Sequence, residues 1–366
     1  MRFVINRHRE SGPTVQPSRE SVRGFHRSLP GYTPTPLVRR TALARRLELG
    51  DLYVKYEGTR YGLMAFKGLG ASWALHRLLE TKGALFDTVS TASEGNHGRA
   101  VAWAARLMRQ PCVIFLPSHA APERIENIRR EGARVVLVDG SYEDAVRRCD
   151  DESRANGWQI ISDVGYNGYM EIPLLVAEGY STLYLEADEQ IAGNQWPAPD
   201  VVLIPGGVGA LLHAGVDHYR TRDPGPKVVG VEPAEGDCLT ESLASPGGAP
   251  ATSRGSGRTS MACLNCAEIS LPNWPPIRRG VDLMVTIDDG YAEEGVRRLY
   301  HADPDERALE AGTSGAATTG ALIALMTDPR FREAREFLGL GRESVVQVLC
   351  TEGAIDRKEF DRVVDS

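Results

Sequence analysis

Short apolar runs alternate along the chain with longer segments in which apolar residues recur at helical spacing. The apolar runs predict strands, which we place at 52–55, 112–116, 134–138, 201–204, 228–231 and 345–349. The helical spacing predicts helices at 66–79, 98–108, 123–131 and 142–155. Strands that alternate with helices in this way are typical of βαβ units, in which helices cover a parallel sheet.

Two stretches interrupt this pattern. The segment 245–260 is dense in glycine, proline, serine and threonine, which predicts a surface loop or a mobile lid. The opening thirty residues are polar and contain Pro13, Pro17 and Pro30, so we expect them to form an arm that lies over the body. The sequence therefore predicts an α/β protein with two lobes and a site in the cleft between them.

Composition and charge argue against several classes of function. The 366 residues carry a net charge of −7, which gives no electrostatic reason to bind nucleic acid or an anionic membrane. No apolar stretch approaches the roughly 20 residues that span a bilayer, and the N-terminus lacks the apolar core of a signal peptide. We therefore expect a cytoplasmic protein without nucleic-acid or membrane partners.

Six cysteines are too few in a chain of this length for a disulfide scaffold. Cys263 and Cys266 form one CxxC motif, but no second pair or histidine cluster accompanies it at ligand spacing. We favour two small residues that line a loop over a zinc site, and we expect no metal.

The first stretch with candidate chemistry surrounds Lys67, which follows three apolar residues and precedes glycines. Glycine lets a bound group approach the backbone closely. Burial favours the neutral amine that Schiff-base chemistry requires. A lysine beside a phenylalanine is more commonly a surface residue, however, so this segment alone assigns no function.

Two further loops favour a cofactor site. The segment 93–98 is predicted at a strand-to-helix junction, where free backbone N–H groups can hold a carboxylate. The segment 205–210 follows an apolar strand and opens a helix, so its glycine amides can approach a phosphate. It matches neither GxGxxG nor GK[ST], which argues against dinucleotide and Walker-type sites.

The order of these parts resembles that of the fold type II pyridoxal-phosphate (PLP) enzymes, and within them the diaminopropionate ammonia-lyases. The resemblance covers the chain from about residue 25 to about residue 356. The matching segments are 34–37, 60–67, 95–103, Asp163 with 168–173, 206–209, 261–266 and 351–353. It implies two lobes, each with a twisted, mainly parallel sheet covered by helices, and a homodimer.

The same resemblance implies a division into domains. Residues 1–69 would form the N-terminal arm and part of a large PLP domain. Residues 70–155 would form a small mobile domain, and residues 156–366 the remainder of the large domain.

It also implies a role for each matching residue. Lys67 would bind PLP as a Schiff base and then carry protons, and Asn96 would hydrogen-bond the phenolic oxygen of the cofactor. The phosphate would lie on Gly206, Gly207, Val208 and Gly209. The pyridine nitrogen would face Cys350 or Thr351. The substrate would contact Ser93, Glu94, Gly95 and His97, the last of which we expect to be mainly structural.

Two catalytic carboxylates beside the cofactor complete the pattern, and here they are Asp163 and Glu94. The family has aspartate where this chain has Glu94, which reaches farther by one methylene, roughly 1.5 Å. A displacement of about that size can cost about a hundredfold when proton transfer needs tight geometry. Either neighbouring residues compensate, or the pocket serves a different substrate.

The resemblance therefore implies a PLP-dependent ammonia-lyase. It would eliminate the β-amino group of a small amino acid such as 2,3-diaminopropionate and give a 2-oxo acid and ammonia. Two alternatives use the same chemistry: a β-replacement or tailoring enzyme, and a hydroxyamino-acid dehydratase. A protein that binds PLP without turnover is a third, against which Lys67, Asn96 and Asp163 argue.

Overall fold

Two sheets are formed within the residues that the computed structural model describes, which are 1–10, 19–93 and 95–366. Their strands are β1 (Arg2–Ile5), β2 (Leu37–Arg39), β3 (Asp51–Tyr56), β4 (Val89–Ala92), β5 (Cys112–Pro117), β6 (Arg134–Val138), β7 (Gln159–Ile160), β8 (Val201–Pro205), β9 (Lys227–Pro233), β10 (Leu283–Ile287) and β11 (Val345–Cys350). The larger sheet has the order β1-β10-β9-β8-β11-β3-β2, and the smaller has the order β6-β5-β4-β7.

Most neighbouring strands run parallel. In the larger sheet the pairs of β10, β9, β8, β11 and β3 are parallel, and the two edge strands β1 and β2 pair antiparallel. The smaller sheet is parallel throughout its described strands. Parallel neighbours need crossover connections, which are usually helices.

Helices make these connections and cover the sheets. They are α1 (Glu20–Ser28), α2 (Thr41–Arg46), α3 (Lys67–Lys82), α4 (Asn96–Leu107), α5 (Pro122–Arg130), α6 (Tyr142–Asn156), α7 (Glu171–Gly179), α8 (Ser181–Gly193), α9 (Ala210–Tyr219), α10 (Cys238–Ala244), α11 (Trp274–Gly280), α12 (Asp289–Tyr300), α13 (Thr313–Thr327), α14 (Arg332–Leu338) and α15 (Arg357–Val364). Ser141 caps α6 in a capping box with Asp144. Among the helices of the described ranges, none is long and apolar enough to cross a membrane.

The core lies on both faces of the larger sheet. Every residue of β8, β10 and β11 is buried, as expected for parallel strands that are covered on both sides. Burial of one valine, leucine or isoleucine side chain contributes about 1.5–3 kcal/mol. These apolar runs therefore decide which segments form the sheet, and the expected α/β fold is confirmed.

The described part of the first thirty residues contains more regular secondary structure than we expected of an N-terminal arm. Arg2–Ile5 forms the edge strand β1, which pairs with β10, and Glu20–Ser28 forms a helix. Pro13 and Pro17 lie outside the described residues. The segment 245–260 is irregular as predicted, apart from a short 3₁₀ turn at Pro246–Gly248, and its proposed mobility stays a prediction.

Candidate active site

The segments with candidate chemistry follow strands that are neighbours in the two sheets. In the larger sheet β8, β11 and β3 are adjacent, and they are followed by the loop 206–209, by Thr351 and by the segment of Lys67. In the smaller sheet β4 and β7 are adjacent, and they are followed by the loop 93–97 and by Asp163. Parallel strands end at the same edge of a sheet, so these residues lie at the carboxyl ends, where α/β proteins bind ligands.

Lys67 and Asp163 form an ion pair between these two groups of segments. The Nζ atom of Lys67 lies 2.6 Å from Oδ2 of Asp163, and the side chains are 19% and 14% exposed. Burial lowers the pKa of Lys67, but the Asp163 carboxylate outweighs burial and the pKa is raised. The expectation that burial leaves this amine neutral is therefore wrong while Lys67 faces Asp163.

His97 lies behind Asp163. Its Nε2 atom is 3.0 Å from the carbonyl oxygen of Ile161, and its Nδ1 atom is 3.8 Å from Oδ2 of Asp163. Burial lowers the pKa of His97, so Lys67 is the charged neighbour near neutral pH. Burial also raises the pKa of Asp163, but the neighbouring His97 and Lys67 outweigh it, and the carboxyl group is ionised.

The loop after β8 presents free backbone N–H groups. Gly207 and Gly209 have φ angles of 54° and 103°, in the left-handed region that favours glycine. In the described part of the chain, the N–H groups of Gly207 and Val208 donate to no acceptor. A Cβ atom on Gly206 would lie 2.8 Å from Cγ of Glu232, which excludes a larger residue there. Free N–H groups at the start of a helix can bind a phosphate.

Ser93 and Gly95 lie on either side of the predicted catalytic Glu94. The backbone N–H of Ser93 donates to the carbonyl of Phe115 at 3.2 Å. The N–H of Gly95 donates to the hydroxyl of Ser93 at 3.3 Å. Glu94 itself lies outside the described residues, so its role stays a prediction.

Asn96 faces the residues that follow β11. Its Nδ2 atom donates to Oε2 of Glu352 at 2.6 Å. The buried thiol of Cys350 donates to the backbone carbonyl of Glu352 at 3.6 Å, and burial raises the pKa of this thiol. Thr351 accepts a hydrogen bond from the N–H of Phe66 at 3.3 Å. Both candidate partners of a pyridine nitrogen therefore lie beside the lysine segment.

A cleft extends from these residues to the surface. Its lining includes Gly95, Asn96, Arg124, Cys263, Ser314 and Glu352. Burial raises the pKa of the two thiols of the CxxC motif, to about 12 for Cys266. They are therefore neutral side chains near pH 7. Within the described ranges, no group of histidine, cysteine and acidic residues is arranged to hold a metal ion.

Glu232 packs against the glycine loop and was not singled out from the sequence. It is fully buried and accepts hydrogen bonds from the backbone N–H groups of Leu239 and Thr240, at 2.9 and 2.8 Å. Burial outweighs these hydrogen bonds and raises its pKa to about 7. Its only sequence signal is its position at the carboxyl end of an apolar strand.

This carboxyl group predicts a loss of stability as the pH rises. The folded protein binds the proton more tightly than the unfolded chain, whose glutamate pKa is about 4.3, so stability falls between that pH and pH 7. The free energy of unfolding should decrease by on the order of 3 kcal/mol over this range, and urea unfolding at several pH values measures the decrease. Glu232→Gln should remove this decrease, whereas the exposed control Glu336→Gln should retain it. An unchanged pH dependence in Glu232→Gln would assign the effect to other groups.

The described residues fit a phosphorylated aldehyde cofactor. Lys67 supplies an amine, and the loop with Gly207 and Val208 supplies free N–H donors at the same edge of the larger sheet. Asn96 adds an amide beside them. Glu352 lies in a matching segment, but no role could be assigned to it from the sequence, because its contact with Asn96 joins residues 256 positions apart.

Comparisons with known proteins agree with this arrangement. A family model described as "Pyridoxal-phosphate dependent enzyme" matches residues 28–350. Diaminopropionate ammonia-lyase from Salmonella typhimurium is 33% identical over 94% of this chain and 91% of its own length. The Escherichia coli K12 enzyme of the same name is 34% identical over 97% of this chain and 93% of its own.

The similarity extends to a solved structure. The crystal structure of the Escherichia coli diaminopropionate ammonia-lyase in complex with an aminoacrylate-PLP azomethine reaction intermediate matches with a TM-score of 0.90 and 32% identity. The match covers 99% of this chain and 96% of that one.

Proposed function

The chain belongs to the pyridoxal-phosphate dependent enzymes, and from this premise we propose that it eliminates ammonia from 2,3-diaminopropionate or a close analogue. The observation that carries the proposal is the ion pair of Lys67 with Asp163 at 2.6 Å, which places a base and an acid together. The relatives named diaminopropionate ammonia-lyase match over more than nine-tenths of this chain, which supports the choice of substrate.

When bound, the cofactor supplies an electron sink for the carbon atom that loses a proton. Lys67, or a carboxylate on the opposite face of the cofactor, would take the proton from Cα. The β-amino group leaves only when it is protonated, so the site needs an acid. Breaking the Cα–H and Cβ–N bonds forms a carbon–carbon double bond and releases ammonia.

Asp163 is suited to supply that proton. While the ammonium group of Lys67 faces it, the pKa of Asp163 is held below its ordinary value. When the amine of Lys67 is engaged elsewhere, this interaction is lost, and the pKa of Asp163 shifts upward because burial is then opposed only by His97 and a backbone hydrogen bond. Asp163 would then hold a proton and transfer it to the leaving group, with Glu94 as the second predicted carboxylate.

The remaining assignments are proposals of the same kind. Asn96 would bind the phenolic oxygen, the loop 206–209 the phosphate, and Cys350 or Thr351 the pyridine nitrogen. Ser93, Gly95 and His97 would contact the substrate.

We also propose the division into a small mobile domain, 70–155, and a large domain formed by the rest. We propose a cytoplasmic location, which is supported by six cysteines that are all free, as expected in a reducing compartment. The homodimer is proposed from the family resemblance. Light scattering on the purified protein measures the oligomeric state.

The test is a product assay on the purified holoenzyme. With 2,3-diaminopropionate we expect one pyruvate and two ammonia molecules per turnover, since the unsaturated product hydrolyses in water. Pyruvate is measured with lactate dehydrogenase and ammonia with glutamate dehydrogenase. A holoenzyme that carries the cofactor but releases neither product would overturn the assignment of the substrate.

Glu94 favours a second candidate, a β-replacement enzyme with the same cofactor. If 2,3-diaminopropionate is the natural substrate, we expect Glu94→Asp, which restores the family residue, to lower its turnover, by at most about a hundredfold. A large gain would indicate that the natural substrate differs. Incubation of the wild-type protein with added thiols or amines, followed by mass spectrometry, detects the new amino acid that β-replacement would form.

A further inference from the structure

Glu352 is a buried acid that joins the lysine segment to the smaller sheet. Its backbone forms an isolated β-bridge with Ala65, and the N–H of the next residue, Gly353, donates to the carbonyl of Met64 at 2.8 Å. Its side chain accepts a hydrogen bond from Asn96, the first residue of α4, at 2.6 Å. Glu352 therefore contacts both groups of segments that form the cleft.

This carboxyl group lies in the cleft without an ion pair. It is 8% exposed, and among the residues of the described ranges no cation lies within 4.0 Å of it. Burial raises its pKa. A buried carboxyl group without a cation is costly unless hydrogen bonds satisfy it, and the amide of Asn96 is the closest donor described.

The hydrogen bond also fixes the orientation of the amide. An asparagine side chain carries two N–H donors in one plane, and the direction of one determines the direction of the other. Glu352 accepts from Nδ2, so the side-chain oxygen of Asn96 faces away from it and the second N–H points elsewhere in the cleft. The same nitrogen also donates to Sγ of Cys263 at 3.7 Å, a weak acceptor that an oxygen of the cofactor would replace.

We infer that Glu352 is a positioning residue for the cofactor: it holds the Asn96 amide so that the second N–H, which otherwise meets only the weak acceptor Cys263, donates to the phenolic oxygen beside the Lys67 linkage. This inference rests on the proposed function, in which Lys67 and Asn96 bind PLP. Glu352 acts through Asn96 and is assigned no contact with the substrate.

The experiment compares three variants of the purified protein by their affinity for PLP and by the visible absorption band of the bound cofactor. Glu352→Leu removes the acceptor, and we expect PLP to bind about tenfold more weakly and the band to shift. Glu352→Gln keeps an acceptor oxygen, and we expect affinity and band close to those of the wild type. Glu359→Gln, at the rim of the same cleft, is the matched control and should change neither.

A double-mutant cycle separates positioning from a general structural effect. If Glu352 acts through Asn96, Glu352→Leu should have little further effect on PLP affinity in an Asn96→Ala background. Additive losses in the double variant, or a Glu352→Gln variant as weak as Glu352→Leu, would overturn the inference. If Glu352→Leu does not fold, Glu352→Asp replaces it, because shortening the side chain by roughly 1.5 Å also breaks the contact.

The readouts distinguish this inference from the proposed function. Affinity and absorption are measured without substrate, so they test Glu352 even if the holoenzyme does not eliminate ammonia. A wild-type protein that binds no PLP would overturn both, whereas normal PLP binding by Glu352→Leu would overturn only the inference.

Discussion

Lys67→Ala is expected to abolish covalent cofactor binding and to lower the rate of elimination by at least about a thousandfold. The variant lacks both the amine that forms the Schiff base and the base proposed for the Cα proton. Within the described residues, no second lysine forms an ion pair with Asp163 that could substitute for it. The visible band of the holoenzyme and borohydride trapping of the protein–cofactor bond measure the first loss. Release of pyruvate measures the second.

The control is Lys82→Ala, at the exposed C-terminal end of the same helix, which should keep the band and the activity. Added ethylamine should restore part of the activity of Lys67→Ala, since the cavity left by the side chain admits a small amine. A variant that still becomes covalently linked to the cofactor through another lysine would show that Lys67 is not the site of attachment.

The sequence predicted the central strands well, because a strand that is buried on both faces must be apolar along its length. The central strands predicted at 201–204 and 345–349 each extend by one residue in the structure. The edge strand Arg2–Ile5 was missed, since its pairing depends on backbone hydrogen bonds and on the ion pair of Arg2 with Asp237. Such contacts leave no periodic pattern in the sequence.

Fewer features of the site than of the strands could be predicted from the sequence. Lys67 and Asp163 are 96 positions apart, so only the family resemblance placed them together. The direction of the Lys67 pKa shift was predicted incorrectly, because burial and the carboxylate act in opposite directions and their sum depends on distance. Glu352 was not assigned, since its partner Asn96 is 256 positions away. Glu232 was not assigned either, since the glycine loop against which it packs, at Gly206, belongs to a different segment of the chain.

A fully buried cluster of charges precedes the lysine segment. Arg60 donates to Glu57 at 2.8 and 2.9 Å, to Glu186 at 2.7 Å and to the hydroxyl of Thr35 at 2.9 Å. Lys55 donates to Glu186 at 2.8 Å. Burial raises the pKa of Glu186, but Arg60 and Lys55 outweigh it and lower the pKa to about 2. Two cations and two carboxylates therefore compensate one another away from water.

Arg60 also holds a strained stretch of backbone that leads to Lys67. Tyr61 and Met64 have φ angles of 50° and 60°, a region that costs other residues than glycine about 1–3 kcal/mol each. Such conformations persist only where the surroundings fix them. The hydrogen bonds of Arg60 fix the residue immediately before this stretch, so the cluster positions the lysine segment as well as stabilising the fold.

Arg60→Met should accordingly lower the free energy of unfolding by about 3–5 kcal/mol, because it leaves two buried carboxylates with one cation. Urea unfolding measures this loss, and the affinity for PLP should fall with it if the strained stretch relaxes. The control is Arg362→Met, which removes an exposed ion pair with Glu293 and should cost less than about 1 kcal/mol. Adding Glu57→Gln to Arg60→Met removes the uncompensated charge and should recover part of the stability. A double variant that is less stable than Arg60→Met would show that hydrogen-bond geometry, rather than the balance of buried charge, determines the stability of this cluster.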